Sequence, residues 1–126
     1  MSEIFEREPS EVVRARRMVG AALRSWGLGG ELPPFELAVS ELVSNALVHG
    51  GGQVEVRLRD DGDGVRLDVV DRGGGTPEVR RQGSGAEAPG GWGLQFVDQL
   101  ADEWGTETGP DRTLVWMVRR HGATPG

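Results

Sequence analysis

The segment from residue 40 to residue 50, with the sequence SELVSNALVHG, constrains the fold most strongly. Its apolar residues recur at the spacing of a helix that faces a core. Glu41, Asn45 and His49 follow at intervals of four, so on a helix of about 3.6 residues per turn they lie along one face. A polar row is usually only a solvated helix surface. A carboxylate, a carboxamide and an imidazole in one row nevertheless form a candidate site, whose significance depends on the rest of the chain.

Length and composition limit what can be built around this helix. At 126 residues the chain has the size of a single domain, 1–126, with one sheet and a few helices. It contains no cysteine, which excludes disulfides and thiolate metal sites. A net charge of −6 argues against direct nucleic-acid binding, because neutralising phosphates requires basic surface. No apolar run has the length of a membrane span, and the charged N-terminus does not resemble a signal peptide, so we expect a cytoplasmic protein without membrane contact.

The order of hydrophobic periods predicts an α+β fold, a two-layer sandwich with helices on one face of a mixed, mostly antiparallel sheet. Ser10 is a candidate N-cap of the first helix, which should end near Gly27. The predicted elements are helices at 10–27 and 34–49, a β-hairpin at 53–59 and 65–71, a helix from residue 94 and a last strand at 113–119. Residues 105–109 are expected to form a turn and residues 120–126 a flexible tail.

The first predicted helix carries basic residues on its outer side. They are Arg14, Arg16, Arg17 and Arg24. A solvated surface is the ordinary interpretation of such a charged face, and docking of a partner is the alternative.

A second informative stretch begins where the predicted hairpin ends. Asp71 is followed by Gly73, Gly74 and Gly75, and glycines without side chains let a ligand come close to the backbone. By itself the pattern is more often a tight turn. Residues 76–90 then form a long polar loop, and such loops inside a small domain are either functional or mobile.

The third stretch is Gly91-Trp92-Gly93-Leu94, directly before an amphipathic helix. The unpaired amides at a helix start, together with the helix dipole, attract anions such as phosphate. Glycine-rich helix entries without any ligand are equally common, so this stretch alone decides nothing.

Taken in order, these motifs resemble the GHKL ATPase superfamily, and within it the bacterial anti-sigma factors that are also protein serine kinases. The resemblance extends over residues 12–118. It implies a Bergerat-type ATP-binding fold in which residues 76–90 form a short ATP lid. It also implies ATP and Mg²⁺ as cofactors.

The resemblance assigns roles to single residues. Glu41 matches the catalytic glutamate that orients or deprotonates the attacking group, and Asn45 matches the asparagine that holds Mg²⁺ through its carbonyl oxygen. Asp71 matches the aspartate that receives the adenine amino group, and Thr113 resembles the threonine that reaches adenine from the sheet. The other residues matched to the nucleotide site are His49, Gly73, Gly75, Gly91, Trp92, Gly93 and Leu94.

Two positions depart from this pattern, and a third has no clear role in it. Related sequences often have a basic residue where Trp92 stands, so one charge contact to phosphate is in question. Arg112 stands where a glycine usually precedes the threonine. His49 recurs in this branch without a clear role, and an imidazole that binds nearby backbone is the ordinary alternative to a catalytic one.

The function implied by the resemblance is that of an anti-sigma regulator. Such a protein phosphorylates a serine of a STAS-type anti-anti-sigma partner with ATP, as a protein serine/threonine kinase, and sequesters a sigma factor. The alternative is a non-catalytic or degenerate GHKL module that acts only by docking, which Trp92 and the short lid favour. An ATPase piece of a histidine kinase is disfavoured, because we expect no dimerisation helix with a phosphorylatable histidine. Homodimer formation stays open.

Overall fold

The computed structural model describes residues 1–6, 8–49, 52–72, 94–110 and 112–120, except for the side chains of residues 48 and 49. In chain order the elements are β1 (Ser2–Phe5), α1 (Ser10–Ser25), a 3-10 turn (Gly29–Glu31), α2 (Leu32–His49), β2 (Val54–Asp60), β3 (Gly64–Asp71), α3 (Leu94–Leu100), β4 (Glu103–Gly109) and β5 (Arg112–Arg120). None of the helices described here combines the length and the apolar character that crossing a bilayer requires.

The five strands form one sheet in the order β1-β2-β3-β5-β4. All four pairings are antiparallel, so the described part of the sheet is antiparallel throughout rather than mixed. The predicted α+β sandwich is confirmed. The hairpin also lies where its alternating pattern predicted it, with Val54 opposite Asp71 and Asp60 opposite Val65.

The core lies between the helices and one face of the sheet, which we call the inner face. Side chains point alternately to the two faces of a strand, so every second residue contributes. The buried residues on the inner face are Phe5, Val54, Val56, Leu58, Val65, Leu67, Val69, Val115 and Met117. The helices cover them with the apolar stripes of α1 and α2, of which Val19, Leu23, Phe35, Val39 and Leu42 are the largest members.

The ends of α1 show both a correct and a wrong prediction. Ser10 is the first helical residue and not the cap; Pro9 precedes the helix in αR conformation and makes no side-chain capping bond. The helix ends as predicted, because Gly27 adopts a φ of 76° that favours glycine. The Leu28 amide then donates to the Leu23 carbonyl over 2.8 Å, which satisfies one of the last carbonyls.

Two edge strands were not predicted. Glu103–Gly109 forms β4 where a turn was expected at 105–109, and Ser2–Phe5 forms β1. β5 also continues through Arg120, the first residue of the expected tail. In β4 the alternation is weak because most of its residues are exposed and polar, and the indole of Trp116 covers Gly105.

β1 is fixed to α1 by one arginine. The guanidinium of Arg14 lies 4.3 Å from the centroid of the Phe5 ring and donates to the Glu3 carboxylate over 2.7 Å. It also binds Glu11, and this hydrogen bond lowers the pKa of the Glu11 carboxyl to about 2. Arg14 thus has a structural role in holding the edge strand.

Candidate functional site

Two buried polar residues meet at one end of the sheet. β3 ends at Asp71, and Thr113 near the start of β5 is its direct cross-strand partner. Each residue is only 2% exposed, and each lies on the inner face, because each continues the alternation of the buried apolar residues before or after it. A carboxylate and a hydroxyl are thereby brought together under the helix layer. Sequence analysis predicted both residues, 42 positions apart in the chain, for one site.

The predicted polar row occurs on α2. Glu41 and Asn45 are half-buried, whereas Leu42, Val43 and Ala46 between and behind them are buried in the core. His49 is the last residue of α2, and its side chain is outside the described part. The helix therefore presents a carboxylate and a carboxamide one turn apart on its accessible side.

The path of the chain relates this row to the sheet. Five residues after His49, Val54 begins β2 directly opposite Asp71. A chain of five residues spans at most ~18 Å, so the C-terminal end of α2 and the Asp71–Thr113 pair lie at the same end of the domain. Along the row, Asn45 is nearer to that end, and Glu41 lies about 6 Å further away along the helix axis, because four residues separate them.

Glu41 also borders a groove between α1 and α2, with a volume of about 460 Å³. The residues that line it are Arg16, Pro33, Glu36, Leu37, Ser40 and Glu41. Sequence analysis left open whether Arg16 lies on a solvated or a partner-docking surface, and gave no role to Leu37. The signal for Leu37 was present, since it stands four residues before Glu41 in the same row.

Arg72 follows Asp71 but points away from it. Its guanidinium binds the Glu55 carboxylate on the opposite face of the sheet. Hydrogen bonds from Arg57 and then Arg72 lower the pKa of the Glu55 carboxyl to about 2. Glu55 is therefore ionised at neutral pH, and Arg72 is held away from the buried carboxylate of Asp71.

Two side-chain contacts anchor α3 beside this region. The Trp104 indole donates to Asp98 over 2.9 Å, and Arg119 donates to the Leu100 carbonyl over 2.6 Å. The same guanidinium binds Glu31 over 2.6 Å. A cation at the last carbonyls is a favourable helix ending. Sequence analysis missed Arg119, whose partner Glu31 is 88 residues away.

The family follows from a comparison with known protein families. The model of the histidine kinase-like ATPase domain matches residues 5–119. The chain belongs to the histidine kinase-like ATPase domain family. The match extends over nearly all of the fold, from the end of β1 to β5.

A solved structure similar to this ATPase domain is the crystal structure of the RsbU and RsbW domains of Rv1364c from Mycobacterium tuberculosis. The two share 26% sequence identity with a TM-score of 0.58 over 95% of this chain. This chain spans 32% of the length of that protein. No curated protein sequence matches this chain. The resemblance to the GHKL superfamily and its anti-sigma branch is confirmed.

The donor set of this ATPase domain suits ATP and Mg²⁺. A buried carboxylate accepts hydrogen bonds from an amino group, and a hydroxyl both donates and accepts; Asp71 and Thr113 supply these groups. The carboxamide oxygen of Asn45 is a ligand type that Mg²⁺ prefers. Among the described residues no group of three or more His, Asp or Glu could hold a metal ion.

Of the remaining predicted site residues of the ATPase domain, one lies in the described part of the chain and the others lie outside it. Leu94 is the first residue of α3, is half-buried and packs against the core. The predicted lid 76–90 lies outside the described residues, as do Gly73, Gly75, Gly91, Trp92 and Gly93.

Proposed function

We propose that this domain binds ATP with Mg²⁺ and transfers the γ-phosphoryl group to a serine of a partner protein. The observation that carries the proposal is the pairing of Asp71 with Thr113 at one strand end, beside the end of the helix with Glu41 and Asn45. Membership of an ATPase family makes the nucleotide the natural ligand for that arrangement.

Asp71 and Thr113 would select the base. An ionised carboxylate accepts a hydrogen bond from the adenine amino group, whereas guanine presents an acceptor at the same position. Two acceptors face to face leave a buried carboxylate without compensation, which is costly. The Thr113 hydroxyl would reach the same base from β5. Both residues are nearly fully buried, which strengthens this discrimination.

Asn45 and Glu41 would act at the phosphates. Asn45 would hold Mg²⁺ through its carbonyl oxygen, and such an ion, when bound, would neutralise charge on the phosphates. Glu41 orients the serine hydroxyl and accepts its proton. A bond forms between the serine oxygen and the γ-phosphorus, the bond from that phosphorus to the β-γ bridging oxygen breaks, and ADP leaves. Positioning and electrostatics supply most of the acceleration in such reactions.

The likeness to the RsbW domain supports a regulatory role in transcription. In this proposal the acceptor is a STAS-type anti-anti-sigma protein, and the second partner is a sigma factor that the cytoplasmic domain sequesters. Binding of one partner excludes the other, so phosphorylation of the acceptor releases the domain for the sigma factor.

A second candidate is a GHKL module without catalysis that acts by docking alone. It is favoured by Trp92, which stands where relatives often have a basic residue. The two candidates differ in phosphoryl transfer, not in fold.

The deciding experiment combines calorimetry with a labelling assay. We expect the wild type to bind ATP with Mg²⁺ and to bind GTP much more weakly. Glu41→Ala should keep ATP binding and lose the transfer of labelled phosphate to a serine of the partner protein. Ser44 is exposed on the same helix, and Ser44→Ala should behave as the wild type in both assays. No heat of ATP binding would refute the nucleotide site. Binding without transfer by the wild type would favour the docking module.

A further inference from the structure

The polar pair at the strand ends continues into the edge strand β4. Thr113 of β5 lies in register between Asp71 of β3 and Thr108 of β4. Residues in register on neighbouring strands point to the same face of a sheet, so Thr108 also lies on the inner face. In the next inner-face row, β3 and β5 contribute the buried residues Val69 and Val115. The row at the strand ends is therefore polar on all three strands, unlike the row that follows it.

The burial of this polar row decreases toward the edge of the sheet. Asp71 and Thr113 are each only 2% exposed, whereas Thr108 is an exposed residue. Thr106, the preceding inner-face residue of β4, is exposed as well. Both β4 threonines point to the face on which the helices pack, so the helices of the described part leave this corner of the sheet uncovered. A ligand held by Asp71 and Thr113 has room to extend over β4 as far as Thr108.

The spacing of the strands matches the width of one aromatic ring. Neighbouring strands lie about 4.8 Å apart and side chains stand roughly perpendicular to the sheet, so the side chains of Asp71 and Thr108 are about 10 Å apart. A hydrogen bond of about 3 Å at each end leaves about 4 Å between the two bound atoms of a ligand. This is close to the distance across the six-membered ring of adenine from the amino nitrogen to the ring nitrogen N3. N3 is an acceptor, and a threonine hydroxyl is a donor.

We propose that the Thr108 hydroxyl donates a hydrogen bond to N3 of the bound adenine, an inference that rests on the proposed function. Asp71 accepts from the amino group on the opposite side of the same ring, and Thr113 faces the ring edge between them. β4 is thus the outer wall of the base site, and Thr108 is a binding residue. A base without an acceptor at N3 loses the contact with Thr108 and keeps the one with Asp71.

The test uses one variant that removes the hydroxyl, one that keeps it and one matched control. Thr108→Val replaces the hydroxyl by a methyl group of similar size, and Thr108→Ser keeps the hydroxyl without the methyl group. Thr106→Val makes the same change on the same strand and face, opposite Val115 instead of Thr113. All three substitutions lie at exposed positions of an edge strand, so the variants should fold, which thermal denaturation without nucleotide checks.

The probes are ATP and 3-deaza-ATP, in which a C–H group replaces N3, each titrated by calorimetry in the presence of Mg²⁺. We expect the wild type to bind 3-deaza-ATP about three- to tenfold more weakly than ATP, because one partly solvated hydrogen bond is lost. Thr108→Val should bind ATP more weakly by the same factor and should no longer distinguish the two nucleotides. Thr108→Ser and Thr106→Val should keep the preference of the wild type for ATP.

Failure of this inference differs from failure of the proposed function. If the wild type does not bind ATP, both fail. If the wild type binds ATP and 3-deaza-ATP equally tightly, only the inference fails. It also fails if Thr108→Val keeps the preference of the wild type, or if Thr106→Val abolishes that preference as well. Thr108 would then act only within the sheet, as the cross-strand partner of Thr113.

Discussion

On the inner face of the sheet, β3 presents Leu67 and Val69 to the helices and ends in Asp71, whereas on the other face the same strand presents Arg66 and Asp68. We call this second face the outer face; it also carries Glu55, Arg57 and Trp116. The charges of the outer face neutralise one another in ion pairs within or between strands. The buried carboxylate of the inner face is instead paired in register with a hydroxyl at the end of the core.

The contrast teaches where polar residues have a functional meaning. Charged side chains on the outer face are paired; even Asp68, which is only 8% exposed, is bound by Arg66. The exposed pairs contribute little. Asp71 occupies a position where an apolar residue would pack without cost, and burying a charge is unfavourable for folding alone. A residue that folding does not favour is a candidate for ligand binding.

The largest expected effect concerns the apolar part of the inner face. Leu67 is fully buried, so Leu67→Ala should lower the free energy of unfolding by about 2–5 kcal/mol through lost burial and the cavity that remains. Arg59 lies on the outer face in an exposed pair with Asp61, and Arg59→Ala should cost about 1 kcal/mol or less. Urea denaturation of both variants measures the difference. Equal losses would show that the two faces do not differ as described.

The second prediction concerns Asp71. Asp71→Asn keeps the shape but replaces an acceptor oxygen by a donor, so ATP affinity should fall by about 1.5–3 kcal/mol, roughly ten- to a hundredfold. Because Asn keeps the size of the side chain and removes a buried charge, thermal stability in the absence of nucleotide should change little. Calorimetry with ATP and thermal denaturation without it provide the two measurements. A variant that is clearly less stable but binds ATP as tightly as the wild type would make Asp71 a structural residue.

The third prediction concerns the aromatic contact on the outer face. A Cβ at Gly105 would lie 2.9 Å from atoms of the Trp116 indole, which itself stacks 4.7 Å from the Arg66 guanidinium. Gly105→Ala must displace this side chain and should cost about 1 kcal/mol or somewhat more. Gly109→Ala in the same strand is the control, because its nearest atoms lie at an ordinary 3.9 Å. If both variants are equally stable, the position of the indole does not require the space that Gly105 leaves free.

The parts of the fold that sequence analysis predicted are those whose own side chains create a period. α1, α2 and the hairpin of β2 and β3 each bury one stripe, and the same period placed Glu41 and Asn45 on the accessible side. β4 has a mostly polar sequence, because an edge strand buries few side chains. Its Gly105 is covered by a residue of β5. Its period is therefore too weak to detect.

The missed parts of the site depend on packing between distant elements. The groove beside Glu41 exists only because α1 packs against α2, so that Arg16 of one helix and Leu37 of the other line it together. The contact of Arg119 with Glu31 joins residues at opposite ends of the chain. No local pattern encodes such proximity, whereas Asp71 and Thr113 were predicted for one site because the resemblance to a family supplied it.

The smallest expected effect is the pH dependence of stability that comes from the ion pairs of the outer face. Hydrogen bonds from Arg57 and then Arg72 depress the pKa of Glu55 in the folded state from 4.5 to about 2. The stabilisation by ionised Glu55 is therefore complete above pH 4.5 and is lost progressively as the pH falls toward 2. Both arginines are more than one third exposed, so solvent screening limits the contribution to about 1 kcal/mol or less.

Glu55→Gln separates this contribution from the rest of the sheet. The variant should be slightly less stable than the wild type at pH 7, and the difference should disappear between pH 4.5 and about 2 in urea denaturation. A double-mutant cycle with Arg57→Gln isolates the pair, and its coupling should follow the same pH dependence. A difference that persists at pH 2 would mean that Glu55 stabilises the sheet by packing and not by charge. The outer face would then resemble the inner one, and pairing would no longer explain why its charges are there.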